Sequence, residues 1–261
     1  MLSLRIFSAL VLIPLALGAV WAGAWAFVAL AVVAAVLLGW EWTRLCQDGR
    51  YGPAGLALSV IGAVAVILAH LAPFWAFPAV FLGMASIAFI PGQKNGSAAW
   101  MVGGVVYIAV PALSLVWISG QGRETLLWLL VVVWATDIGA YVAGRLIGGP
   151  KLMPKVSPKK TWAGLGGGVI WAALVGLATS CLLDEAGPSA ALLMLISAAL
   201  AVVAQAGDLF ESWVKRHFGV KDSSGIIPGH GGVMDRLDGL LAAALPVALL
   251  CLALGGGVPL W

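Results

Sequence analysis

The sequence predicts an all-α, polytopic integral membrane protein, a helical bundle of about nine transmembrane helices forming a single transmembrane domain over residues 1–261. Three observations carry that prediction. The chain is 62% apolar with a mean hydropathy of +1.06, whereas soluble domains are nearer half apolar. Six runs hold no acid, lysine or arginine: Ile6–Trp40, Tyr51–Gln93, Asn95–Gly122, Thr161–Leu183, Ala186–Gly207 and Gly239–Trp261. Each is long enough to supply at least one span, which needs about 20 apolar residues. The basic residues, finally, segregate to one side once the spans are placed.

The first run, residues 6–40, is too long for one helix. At 1.5 Å per residue it would reach roughly 50 Å against a hydrocarbon core of about 30 Å. It reads as two spans with a turn near Gly18, preceded only by Arg5 and continuing apolar far past a signal-peptide core. Residues 41–50 form an interfacial loop in which Glu41 and Arg44 are most simply a pair. Pro73 and Pro78 divide the second run into spans near 54–72 and 73–90. A polar loop at 93–97 leads to spans near 100–119 and 125–147. Residues 149–160 form a loop with four lysines and three prolines. Spans near 162–183 and 187–213 follow, then a loop at 215–235 and a last span near 238–257.

With the N-terminus cytoplasmic, nine spans put thirteen of the fourteen Lys/Arg inside, leaving only Arg123 outside together with the acidic turn Asp184-Glu185. The net charge of +3 is therefore a topology signal, not a nucleic-acid footprint. Cys46, Cys181 and Cys251 lack any CxxC spacing and read as membrane-core residues, neither disulfide framework nor metal site. No internal repeat supports an inverted-repeat transporter.

Against this background, residues 207–239 stand out. They concentrate the acids Asp208, Glu211, Asp222, Asp235 and Asp238 with Lys215, Arg216, Lys221 and Arg236. Helical spacing puts Asp208, Glu211, Ser212 and Lys215 on one face. A Gly/Pro/Ser-rich loop then leads to Asp235 and Asp238. Acids, bases and glycines beside a membrane are the parts needed to hold a metal and a phosphate chain. Gly231 and Gly232, next to His230, allow close backbone approach to phosphate, or are simply turn glycines. His230 is a phosphate donor, a proton acceptor or a loop-fixing residue.

Two constellations lie outside this stretch. Asp137 falls about ten residues inside its span, a depth that costs several kcal/mol unless the acid is paired or faces water. It shares a face with Trp134, Tyr141 and Arg145, so it is either functional or half of a structural pair with Arg145 or a lysine. Ser157-Pro158-Lys159-Lys160-Thr161-Trp162 brings two lysines and two hydroxyls to a helix start, a combination suited to a phosphate chain, although positive-inside topology alone explains a run of lysines.

These motifs together resemble the phosphatidate cytidylyltransferases (CDP-diacylglycerol synthases). The resemblance rests on Ser212, Lys215-Arg216, Lys221-Asp222, Pro228-Gly229-His230-Gly231-Gly232 and Asp235-Arg236-Leu237-Asp238 at matching spacings, with weaker matches at Asp137, Ala140-Tyr141 and Gly144 and at Ser157 to Trp162. Ala163 departs from the family's usual pattern, which has Glu at this place. The resemblance implies that CTP and phosphatidic acid react to CDP-diacylglycerol and pyrophosphate in phospholipid biosynthesis, at the cytoplasmic face of a bacterial inner membrane.

Such chemistry asks for charge neutralisation and in-line positioning of two polyanions. The expected catalytic residues are Asp208, Asp235, Asp238, Asp137, Lys215 and His230. Asp208 and Asp235 are the expected ligands of Mg²⁺, with room for a second cation, because an all-oxygen donor set suits a hard ion. Ser157, Lys159, Lys160, Thr161, Ser212, Arg216, Lys221, Asp222, Gly231, Gly232 and Arg236 are expected to bind substrate. The partners expected are CTP, phosphatidic acid and membrane lipids; a homodimer is allowed for, and no nucleic acid is expected. The rival readings are another CTP-dependent lipid enzyme (a polyprenol kinase or CDP-archaeol-type synthase) and an ion or phosphate transporter using Asp137 and Asp208.

Overall fold

The structure is a computed structural model that describes residues 2–91, 93, 96–183 and 188–261, without the side chains of residues 2–7 and 9. Among the described residues nine α-helices follow one another: α1 (Leu2–Ala22), α2 (Ala24–Cys46), α3 (Pro53–Leu71), α4 (Pro73–Ala88), α5 (Ser97–Ser119), α6 (Arg123–Leu146), α7 (Trp162–Leu182), α8 (Ala190–His217) and α9 (Met234–Leu254). Seven are long and apolar enough to cross a membrane, while α4 and the apolar part of α1 are shorter. The chain is a polytopic helical membrane protein, and large side chains such as Phe74, Phe89 and Leu182 cover its outside, as a lipid-facing surface requires.

Most boundaries match the hydropathy reading, with four differences, one being that α2 runs on to Cys46 through most of the loop expected at 41–50. The first run breaks at Gly23, not near Gly18. Gly23 takes φ +104°, which only glycine adopts cheaply, whereas Gly18 stays helical. Of the two prolines in the second run, Pro73 opens α4 at its first turn, where its missing N–H costs nothing, and Pro78 lies inside the helix. The loop at 149–160 is partly strand: β1 (Lys151–Met153) and β2 (Ser157–Thr161) pair antiparallel, Lys151 opposite Thr161 and Met153 opposite Ser157. Lys94 and the acidic turn Asp184-Glu185 lie outside the described residues.

The chain forms two compact units. The first comprises residues 1–120 and 217–237. Here α3 packs on α2, α4 and α5, and Trp42 is the buried centre: it stacks 5.1 Å from Tyr107 and its indole N–H donates to the Trp100 carbonyl at 2.8 Å. The second unit comprises residues 121–216 and 238–261. Its principal packing is α6 on α7, with the Trp128 indole donating to Ser197 of α8 at 3.1 Å. After α9, the 3₁₀ turn Val258–Leu260 returns to α6, and the Val258 N–H donates to Thr125.

Candidate active site

The chemistry-bearing residues fall into two groups, one in each unit. The group in the second unit is built on α8. Asp208, Glu211, Ser212 and Lys215 project from one face, as the i, i+3, i+4, i+7 spacing requires. Ser212 Oγ donates to Asp208 Oδ1 at 3.3 Å, and Lys215 Nζ lies 3.0 Å from Glu211 Oε2. Asp238 of α9 joins them because Gly207 permits a close helix crossing: a Cβ at Gly207 would run into Ala242 and the Asp238 carbonyl. Carboxylate oxygens of Asp208, Glu211 and Asp238 consequently lie within 4.8 Å of one another. Asp238 Oδ1 also accepts the Gly239 N–H at 2.7 Å. Asp137 of α6, exposed at mid-helix, is close enough for its charge to act on Asp238.

The hairpin supplies the cation. Thr161 ends β2 and caps α7, its hydroxyl accepting the Gly164 N–H at 3.0 Å. That places Lys160, one residue earlier, with its ammonium 2.7 Å from Asp208 Oδ2 and 3.4 Å from the Gln205 carbonyl. Lys159 points to the exposed side, and Ser157 is half-buried against Met153. The two lysines expected to act together therefore separate, one paired with an acid and one exposed. Arg145 donates to the Tyr141 hydroxyl at 3.0 Å, so the guanidinium is engaged on its own helix.

Three carboxylates crowded this closely repel one another and lose hydration, penalties that a cation removes. Lys160 and Lys215 meet part of that demand. An oxygen-only donor set suits a hard divalent ion. The group differs from the expected Asp208–Asp235 pair by including Glu211 and Asp238.

The group in the first unit is the loop between α8 and α9. Ile227 and Gly231 bridge across a tight turn, with Gly229 and Gly231 in the left-handed region at φ +76° and +84°. The Ser8 hydroxyl of α1 donates to the Pro228 carbonyl at 2.8 Å. His230 sits half-buried in this turn, its N–H donating to the Ile227 carbonyl at 3.0 Å. Asp235 Oδ2 accepts from the Gly232 N–H at 2.8 Å, the Ser223 N–H at 3.0 Å and the Ser223 hydroxyl at 2.9 Å. It thus fastens the start of α9 to the loop. Lys221, Asp222 and Arg236 of this group are exposed, as is Arg216 near the end of α8 in the second unit.

The loop also depends on Glu41, for which a pairing with Arg44 was expected. The Arg44 guanidinium lies instead over the Trp40 ring at 4.6 Å, and fully buried Glu41 accepts from Ser223, Ser224, Val233 and Met234. The pairing fails because Arg44, three residues on at the end of α2, reaches solvent, while Glu41 faces inward. Sequence reasoning missed Glu41 and assigned Glu211 no role. The only signal for Glu41 was a lone acid at the end of an uncharged run; for Glu211 it was the shared helical face.

Residues 3–254 match the cytidylyltransferase family. The phosphatidate cytidylyltransferase of Brucella suis biovar 1 (strain 1330) is 38% identical over 249 residues, covering 93% of this chain and 90% of that protein. The phosphatidate cytidylyltransferase of Pseudomonas aeruginosa is 38% identical over 276 residues, covering 99% of this chain and all of that protein. That of Staphylococcus saprophyticus is 42% identical over 144 residues, 55% of each chain. A bundle with an acid–lysine cluster and a glycine loop, matched over nearly its whole length, belongs to the cytidylyltransferase family.

Proposed function

We propose that this chain transfers the cytidylyl group of CTP to phosphatidic acid, giving CDP-diacylglycerol and pyrophosphate. The observation that carries the reading is the cluster of Asp208, Glu211 and Asp238 with Lys160 and Lys215 held against it. The names of the relatives point the same way.

In this reaction a phosphate oxygen of phosphatidate attacks the α-phosphorus of CTP, and the bond to the β-phosphate oxygen breaks as pyrophosphate leaves. The chain's own work is to bind and align two polyanions whose charges oppose their approach. Exposed Lys159, Arg216, Lys221 and Arg236 bind phosphate oxygens, as does the backbone of Gly231 in the glycine loop. Asp208, Glu211 and Asp238 hold Mg²⁺, which when bound neutralises phosphate charge and polarises the phosphoryl group. Asp137 adds further negative charge near Asp238. Lys160 and Lys215 keep the acids from repelling one another and are placed to turn toward substrate phosphate. Asp235 keeps the glycine loop in place.

The reaction runs at the cytoplasmic face of the inner membrane, a placement supported by the lysine and arginine distribution. The test is purified protein in detergent with phosphatidate and cytosine-labelled CTP. Label appearing in CDP-diacylglycerol, and dependent on phosphatidate, supports the reading; a phosphorylated lipid without cytidine, or no lipid product, refutes it.

A further inference from the structure

We propose that Glu41, a residue of α2 remote in sequence from the loop it touches, is a positioning residue for the reaction. It clamps residues 223–234 in the conformation that offers the loop backbone at Gly231 to the nucleotide's phosphates, an inference that rests on the function proposed above.

Glu41 is 0% exposed, and each of its carboxylate oxygens takes two donors. Oε1 accepts from the Ser224 hydroxyl at 2.5 Å and the Val233 N–H at 2.8 Å. Oε2 accepts from the Met234 N–H at 2.7 Å and the Ser223 hydroxyl at 3.1 Å. The two backbone donors are consecutive and belong to the start of α9, where no intrahelical acceptor exists. Most helices meet this need locally, with a Ser, Thr, Asp or Asn at the N-cap. Here Val233 stands in that place: its carbonyl accepts from Arg236 and Leu237, and its side chain offers no acceptor. The acceptor comes from α2 instead, so the start of α9 is referenced to the helix bundle and not to its own neighbours.

Two details tie the clamp to the phosphate loop. Ser223 has one hydroxyl hydrogen and two carboxylates in reach, Glu41 at 3.1 Å and Asp235 at 2.9 Å. The two acids share that single hydrogen, so a shift of either carboxylate changes the bond left to the other. Gly232 lies against the same group: a Cβ there would fall on the Ser223 hydroxyl and on the Glu41 carboxylate. The loop can close this tightly only because residue 232 has no side chain. An acid buried in a mostly apolar helix persists when its charge is fully hydrogen-bonded, and the four donors do this without a basic partner. Shifting Glu41 would leave Gly231-Gly232 and Asp235 intact in sequence but displaced in space, which is the signature of a positioning role.

The test uses the full-length protein. Glu41→Gln keeps the volume but replaces one oxygen by an NH₂ group, setting a donor against two donors. The expected result has two parts. Amide exchange over residues 223–236 speeds up at Val233 and Met234. The apparent KM for CTP rises about tenfold or more while the folded fraction in detergent is retained. A double variant, Ser223→Ala with Ser224→Ala, removes two donors and leaves each Glu41 oxygen one backbone N–H, with no new donor set against it. It decides the matter if Glu41→Gln does not fold, and it should raise KM in the same direction. Unchanged exchange, or wild-type KM and kcat in a folded variant, overturns the proposal. So does a loss of stability alone, with normal kinetics in the folded fraction. Should the wild type itself make no CDP-lipid, the proposed function fails, and the exchange measurement still decides the clamp.

Discussion

Replacing Asp208 by Asn separates the catalytic from the structural demand on the acid cluster, and the structure supplies the magnitudes. Asp208 attracts Lys160 at 2.7 Å. At an effective dielectric of about 20, that attraction is about 6 kcal/mol before desolvation is counted. The same carboxylate lies within 4.8 Å of both Glu211 and Asp238. With both ionised, each repulsion is at least about 3.5 kcal/mol on the same scale. The two repulsions offset the one attraction, so Asp208→Asn should change unfolding stability by no more than about 1–2 kcal/mol without metal, a shift of a few degrees. Asn retains an oxygen to accept the Ser212 hydroxyl. Activity behaves differently. A cation held there loses one charged ligand of three, and turnover should fall by about a hundredfold or more, equivalent to about 2.7 kcal/mol of barrier. The assay is labelled CDP-diacylglycerol formation alongside thermal unfolding, each with and without Mg²⁺. The wild type should gain thermal stability with Mg²⁺, lose activity in excess EDTA, and the variant should gain much less stability. Activity within tenfold of wild type, or EDTA-resistant turnover in the wild type, would refute the reasoning. Collapse of the variant's fold would refute the charge balance.

Three further expectations follow from exposure and clearance. Lys159→Gln should raise the apparent KM for CTP or phosphatidate several-fold with unchanged thermal stability, and high salt should narrow the difference, because Lys159 is exposed while Lys160 is paired with Asp208; normal kinetics would return Lys159 to a topological role. Gly232→Ala should cost about 1–3 kcal/mol by overpacking against Ser223 and Glu41, seen as a lowered unfolding temperature together with reduced activity; a neutral outcome would count against the tight loop. A reporter cysteine at exposed Gly225, in a cysteine-free background, should resist a membrane-impermeant reagent in intact cells and react after permeabilisation. Ready labelling of intact cells would overturn the topology.

How much of this could be read from the sequence depended on how far apart the cooperating residues lie. Helices were legible because apolar length is a local property, and the Gly23 break was misplaced by five residues because two glycines in one apolar run carry the same local signal. The shared face of Asp208, Glu211 and Lys215 was legible because i, i+3 and i+7 recur within one helix. Lys159 and Lys160 were legible as a pair but not in their separate roles. Alternation along β2 sends them to different surroundings, and the loop was not read as strand. Asp238 joins Asp208 through a close α8–α9 crossing at Gly207, a packing event that no periodicity announces. Glu41 shows the limit most plainly. Its partners are 182 to 193 residues away, and its four donors are two backbone N–H groups and two serines with nothing local to distinguish them. What sequence does offer is an energetic oddity: an acid at the end of a long apolar helix, next to Trp42. Burying such a group unsatisfied costs more than most single contacts return. A lone acid in that place therefore implies a set of donors elsewhere in the chain, and a glycine loop, rich in backbone N–H groups and poor in side chains, is where such donors gather. By the same reasoning Asp137, at mid-helix in α6, stood out as an acid that must be functional or paired before its neighbours were known.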